Sequence, residues 1–126
     1  MEGENRARIE PDFNRALELW HGGDGRAAAG ILKRLASEYP DHPAILGMLG
    51  AIYRSLGEYD RAAYYFQKTA ALSPKSELAS LGLFHSLWRV GRHDEAMDEM
   101  MCFLSVAPSE EYNRLVRESF GEPILS

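Results

Sequence analysis

Between Ile45 and Leu72 the apolar positions fall into two helical registers with a glycine-bearing break between them. Ile45, Leu46, Leu49, Ile52, Tyr53 and Leu56 recur at three- and four-residue steps, and so do Tyr59, Ala62, Ala63, Phe66, Ala70 and Leu72. Gly57 stands in the break, where a residue at positive φ ends a helix at least cost, and Pro74 follows the second run, which it cannot continue. The segment therefore reads as a helical hairpin. Its punctuation recurs along the chain: Gly23, Gly57 and Gly91, then Ala28, Ala62 and Ala96, then Pro40, Pro74 and Pro108, each at an interval of 34 residues. Leu32, Phe66 and Met100 share a register, as do Leu35, Thr69 and Phe103, and Trp20 and Trp88 lie two periods apart. A period of this length marks a stack of supersecondary units, none of which buries its apolar face alone.

Three units follow, at about 9–42, 43–76 and 77–110, with helices predicted near 9–22, 25–38, 43–56, 59–72, 77–90 and 93–106. Asp41 and Ser76 are the expected N-caps of the third and fifth helices. Ser109 caps a seventh helix over 109–120, with Tyr112, Leu115, Val116 and Phe120 on the face that covers the end of the stack. Residues 1–8 are expected to be a disordered N-terminus and 121–126 a C-terminal tail around a single domain at 9–120.

The middle unit reads Leu46, Leu49, Gly50, Tyr53, Gly57, Tyr59, Ala62, Phe66 and Pro74 at the spacing of a tetratricopeptide repeat, with Leu46 where that family often has Trp. The chain resembles this family over about residues 9–120. The resemblance implies an all-α, right-handed α-solenoid of three hairpins and a capping helix, in which the small residues Gly50 and Ala62 let paired helices approach closely. The outer units depart from the motif. Asp12 and Arg15 hold places that are apolar in the middle unit, as suits an end unit. Phe84 replaces the small residue matching Gly50, which predicts a wider crossing in the third hairpin and a ring that must find another place.

In that family the first helix of each unit lines a concave face. Carried onto this sequence, the matching places form a predominantly apolar set of Phe13, Leu17, Trp20, Met48, Leu78, Leu81 and Trp88, with Arg54, His85 and Arg89 as polar groups at its edge. Aromatic and Met anchors beside Ala and Gly describe a groove for an apolar side chain. A subgroup of the family holds acidic chaperone tails with Lys, Asn and Arg on this face. Here Phe13, Leu17, Met48 and Ala51 stand at those places, so that clamp is not expected.

Charge and composition narrow the partner. With 14 Lys+Arg against 19 Asp+Glu, the net charge of −5 disfavours nucleic acid and anionic membrane, which need a basic face. No phosphate loop, HExxH motif or nucleophile elbow occurs, so neither cofactor nor metal nor catalysis is expected. His42 and His93 read as helix-capping residues, Glu95, Asp98 and Glu99 as a solvated acidic face, and the single Cys102 as an apolar filler under the seventh helix beside Met97, Met100 and Met101. With a polar start from Met1 to Arg6 and no apolar run approaching 18 residues, a cytoplasmic location is expected. The function expected is a bacterial protein-interaction module, monomeric or weakly dimeric, that holds an apolar or amphipathic segment of a protein or peptide partner as secretion chaperones do. The alternatives are an immunity-type inhibitor that covers a basic toxin and a homo-oligomeric assembly scaffold.

Overall fold

The protein is described by a computed structural model, which gives the backbone of residues 2–120 and the side chains of residues 5–118. Seven helices and no strand occur among the described residues: α1 (Glu2–His21), α2 (Gly25–Glu38), α3 (Pro43–Ser55), α4 (Tyr59–Leu72), α5 (Glu77–Arg89), α6 (His93–Leu104) and α7 (Glu110–Phe120). Helices α1 to α6 pack as successive neighbours, and α3 also touches α5, which is the pattern of a helical solenoid. The hairpin turns are copies of one another. Gly23, Gly57 and Gly91 adopt φ of 94°, 79° and 85°. The amides of Asp24, Glu58 and Arg92 then reach back to the carbonyls of Leu19, Tyr53 and Leu87 at 2.8, 2.9 and 2.9 Å. This closure satisfies carbonyls that a helix end leaves orphaned, and it needs the left-handed residue that glycine supplies.

Several starts differ from expectation. Helix α1 begins at Glu2, so residues 2–8, expected to be disordered, are helical, and Pro11 lies inside the helix at the cost of one backbone bond. The N-cap of α3 is His42 rather than Asp41, and its side chain makes no capping bond, because Pro43 at the first position already removes one orphan donor. Ser76 and Ser109 do cap, accepting from the amides of Ala79 and Tyr112 at 3.2 and 3.1 Å. Asp24 caps α2 through the Ala27 amide, a cap that the run of glycines around it concealed. Arg92, not His93, holds the cap position of α6, and the His93 ring instead lies 4.2 Å from that of Trp88.

The core runs through the stack from Ile9 to Tyr112. Ala62 is wholly buried, as the close approach of α3 and α4 demands. In the third hairpin the Phe84 ring finds its place edge-on to Tyr112 of α7, 5.6 Å away, and stacked on Trp88 at 5.7 Å. Tyr112 is fully buried, and its hydroxyl shares a 2.7 Å hydrogen bond with Ser80, whose hydroxyl lies 2.6 Å from the Glu99 carboxylate. Glu99 is thus half-buried in a polar link joining α5, α6 and α7, not part of a freely solvated face. Cys102 is exposed and Met101 is 66% exposed, so neither fills space under α7. Only Met100 of that group is buried, with Phe103 supplying the bulk against Tyr112. The expected position of Phe120 on the covering face, and the tail at 121–126, lie outside the described residues.

Candidate binding groove

The inner faces of α1, α3 and α5 enclose an open cleft of about 770 Å³. It gathers Phe13, Trp20, Met48, Arg54, Leu78, Leu81 and His85, seven of the ten residues that the sequence singles out. Their common wall follows from the period. Places that repeat every 34 residues on first helices face the same way when the hairpins stack. Leu78 stands 84% exposed at the rim, while Phe13, Trp20, Met48 and Leu81 are half-buried, with part of each side chain against the core and part toward the cleft.

Glycine makes the floor. A Cβ on Gly82 would come within 2.6 Å of the Phe66 ring, and one on Gly50 within 3.0 Å, so only glycine at both places admits this ring of α4 between α3 and α5. At Gly47 a Cβ would meet the Thr69 side chain at an ordinary 3.6 Å, so the packing does not require glycine there. Phe66 and Thr69 line the cleft although they belong to a second helix. A reading confined to first helices misses them. The signal available was the pair of glycines at 50 and 82, which opens α3 and α5 toward the helix between them.

Two polar features are fixed on the walls. The Trp20 indole N–H donates to the Ser55 hydroxyl at 3.3 Å, and that hydroxyl donates to the Ile52 carbonyl at 2.7 Å, so α1 is tied to the end of α3. The Arg54 guanidinium lies over the Phe66 ring, 5.5 Å from its centroid. Partial desolvation lowers the His85 pKa below the ordinary histidine value, and the Arg54 charge lowers it further, against an opposing pull from Glu111. His85 is therefore held toward its neutral form, able both to donate and to accept a hydrogen bond.

Three expected groove residues are not among those lining the cleft. Leu17 is half-buried on α1 outside it. Trp88 packs on Phe84 and His93 at the far end of α5. Its indole turns to its own helix and to α6. Arg89 reaches back to α4, its guanidinium 4.6 Å above the Tyr59 ring. No group of three or more His, Cys, Asp or Glu side chains placed to hold a metal ion occurs among the described residues. None of their helices is long and apolar enough to cross a membrane.

Residues 13–77, just over half of the chain, match the family model described as tetratricopeptide repeat. No curated protein gives a significant match to the sequence. Among solved structures, the chain is similar to the Yersinia enterocolitica type III secretion chaperone SycD in complex with a peptide of the translocator YopD. That match has 18% identity and a TM-score of 0.74, over 89% of this chain and 86% of that one. It is also similar to the second TPR of Spaghetti (RPAP3) bound to the HSP90 peptide SRMEEVD, at 14% identity and a TM-score of 0.73, over 85% of this chain and 100% of that one. A variant of MamA matches at 20% identity and a TM-score of 0.70, over 81% of this chain and 74% of that one. At these identities the likeness establishes a shared fold.

Proposed function

The chain belongs to the tetratricopeptide repeat family, and from that premise we propose that its concave cleft holds an apolar or amphipathic segment of a partner protein, as a chaperone of the secretion type would. The observation that carries this reading is the convergence of Phe13, Trp20, Met48 and Leu81 from three helices on one open cleft floored by Phe66. A contiguous apolar surface of this kind on a folded chain is the usual mark of an interaction site, and Trp, Phe and Met are the residue types that anchor partners. The solved structures of SycD and RPAP3 each contain a bound peptide, which supports a peptide as the occupant here. A clamp for paired carboxylates is disfavoured, since Phe13, Met48 and Ala51 line the cleft at places matched to the Lys, Asn and Arg of such a clamp. In this reading the protein is a cytoplasmic binding module without catalysis of its own, monomeric or weakly dimeric.

Panning a displayed random-peptide library against the wild type and against a Met48→Glu/Leu81→Glu variant tests the assignment. Both side chains are half-buried, and unfolding is excluded by comparing circular dichroism melts. Apolar or amphipathic peptides should be enriched by the wild type and not by the folded variant. Trp20→Ala should weaken the selected peptides by about 30-fold, the cost of removing a buried aromatic anchor. Enrichment that is unchanged in the variant, or that favours acidic tails lacking apolar residues, overturns the reading.

A further inference from the structure

A second cleft, of about 500 Å³, lies on the opposite side of the stack between α4 and α6, with Leu83 and Leu87 of α5 as its floor. One period earlier, between α2 and α4, the equivalent place is smaller, about 310 Å³, and shallow, its space taken up by its own side chains. There Tyr53 and Tyr65 stack 5.7 Å apart with rings 6° from parallel. Arg61 lies over Tyr53, and Lys68 over Tyr64. Shifting these residues by 34 gives the walls of the second cleft: Tyr53 becomes Leu87, Arg61 becomes Glu95, Tyr64 becomes Asp98, Tyr65 becomes Glu99 and Lys68 becomes Cys102. Every group that fills or neutralises the first cleft is missing from the second, and acids stand over an apolar floor.

Two of the three acids there are left uncompensated. Arg92 pairs with Glu95, but among the described residues no cation lies within salt-bridge distance of Asp98 or Glu99, and the Glu99 carboxylate accepts a hydrogen bond from Ser80 alone. The cations of α4 that point to this side, Arg61 and Lys68, are held over tyrosines of the first cleft. Burial raises the Glu99 pKa, as expected for a carboxyl desolvated without a counter-ion. We propose that this α4/α6 cleft is a second docking site, separate from the concave groove, and that its occupant is a basic amphipathic segment of a partner protein. Apolar side chains of the segment would rest on Leu83, Leu87 and Phe103, and its Lys or Arg side chains would reach Asp98 and Glu99. Charge complementarity selects this occupant over an acidic or neutral one, because an acid would bring a like charge to an already uncompensated rim.

The probe is a fluorescein-labelled amphipathic helical peptide of leucine and lysine, with a leucine and glutamate peptide of the same pattern as control, read by anisotropy. The concave groove would take both amphipathic peptides alike, so the cleft is read in the preference: the wild type should bind the lysine peptide about tenfold or more tightly than the glutamate one. Asp98→Tyr with Cys102→Lys installs the residue pair, Tyr64 with Lys68 over its ring, that stands at the sibling cleft. Asp98→Lys with Glu95→Lys reverses the rim at exposed positions that the fold does not need. Either pair should remove that preference by weakening the lysine peptide about tenfold or more, while Met48→Ala/Leu81→Ala in the concave groove, which adds no charge, should weaken both peptides and keep the preference. The proposal falls if both cleft variants keep the wild-type preference, or if only the groove variant loses it. It also falls if sedimentation shows a dimer of the wild type that Asp98→Lys abolishes, since the occupant would then be a second copy of this chain. Failure of the groove reading in the library experiment leaves these outcomes untouched.

Discussion

In the middle hairpin the bulk lies on the second helix and the space on its neighbours, whereas in the last hairpin the bulk lies on the first helix. Phe66 of α4 enters between Gly50 of α3 and Gly82 of α5. Phe84 of α5 stands one period after Gly50, and its ring meets Tyr112 of α7. The same period thus yields two closures. One is held by backbone proximity around a single ring, and the other by an aromatic contact to an added helix with a polar link beneath it. A small residue in a repeat is dispensable where a further element accepts the ring, and α7 is that element.

The largest effects should come from removing the two buried rings. Phe66→Ala and Tyr112→Ala each empty a large buried site, a change that costs about 3–5 kcal/mol, but they should do so in different places. By native-state hydrogen exchange, Phe66→Ala should loosen α3, α4 and α5 together, while Tyr112→Ala should release α7 and leave α1 to α4 protected. Equal loosening of the whole stack by both variants would break the comparison.

A smaller effect is expected at the glycines. Gly82→Ala places a methyl group inside the contact distance of the Phe66 ring and should cost about 1–3 kcal/mol by overpacking, despite the better helix propensity of alanine. Gly50→Ala, with 3.0 Å rather than 2.6 Å to the ring, should cost less. Urea unfolding of the two variants orders them, and the reverse order would mean that α5 yields more easily than α3.

The smallest effect is a pH dependence of the polar link. Burial raises the Glu99 carboxyl above the ordinary glutamate value, against the Ser80 hydrogen bond, so the folded protein binds this proton more tightly than the unfolded chain does. The resulting stabilisation is present at acid pH and is lost as pH rises from the unfolded value, about 4.3, through the raised folded one. Glu99→Gln, which can still accept from Ser80, should flatten the urea midpoint across that interval relative to wild type. An unchanged slope would mean that Glu99 is solvated in the folded state.

Much of the architecture was legible because its signals are local. The helix periodicity, the glycine turns at 34-residue intervals, and the Ser76 and Ser109 caps depend on residues within a few positions of one another, and the structure places them as read. The start of α1 was placed at residue 9, where the first repeat unit begins, whereas the helix runs from Glu2 with Pro11 in its interior, because a repeat period does not show a helix that extends beyond its unit. The concave cleft was legible in part. Repeated register put Phe13, Trp20, Met48 and Leu81 on one wall, but register does not know where the stack stops, so Trp88 and Arg89 were placed in the groove although their rings and charges settle on α6 and α4.

By itself the sequence determined the number of hairpins, the turn chemistry and the family, since periodicity and capping are written in neighbouring residues. Tertiary structure alone decided where each large side chain goes: Phe66 through the glycine gap, Phe84 to Tyr112, Glu99 into a half-buried link, and Cys102 out to solvent. The physical reason is that burial and charge compensation depend on residues from different units meeting across helices. Sequence spacing fixes which face a residue occupies, but not what stands opposite it.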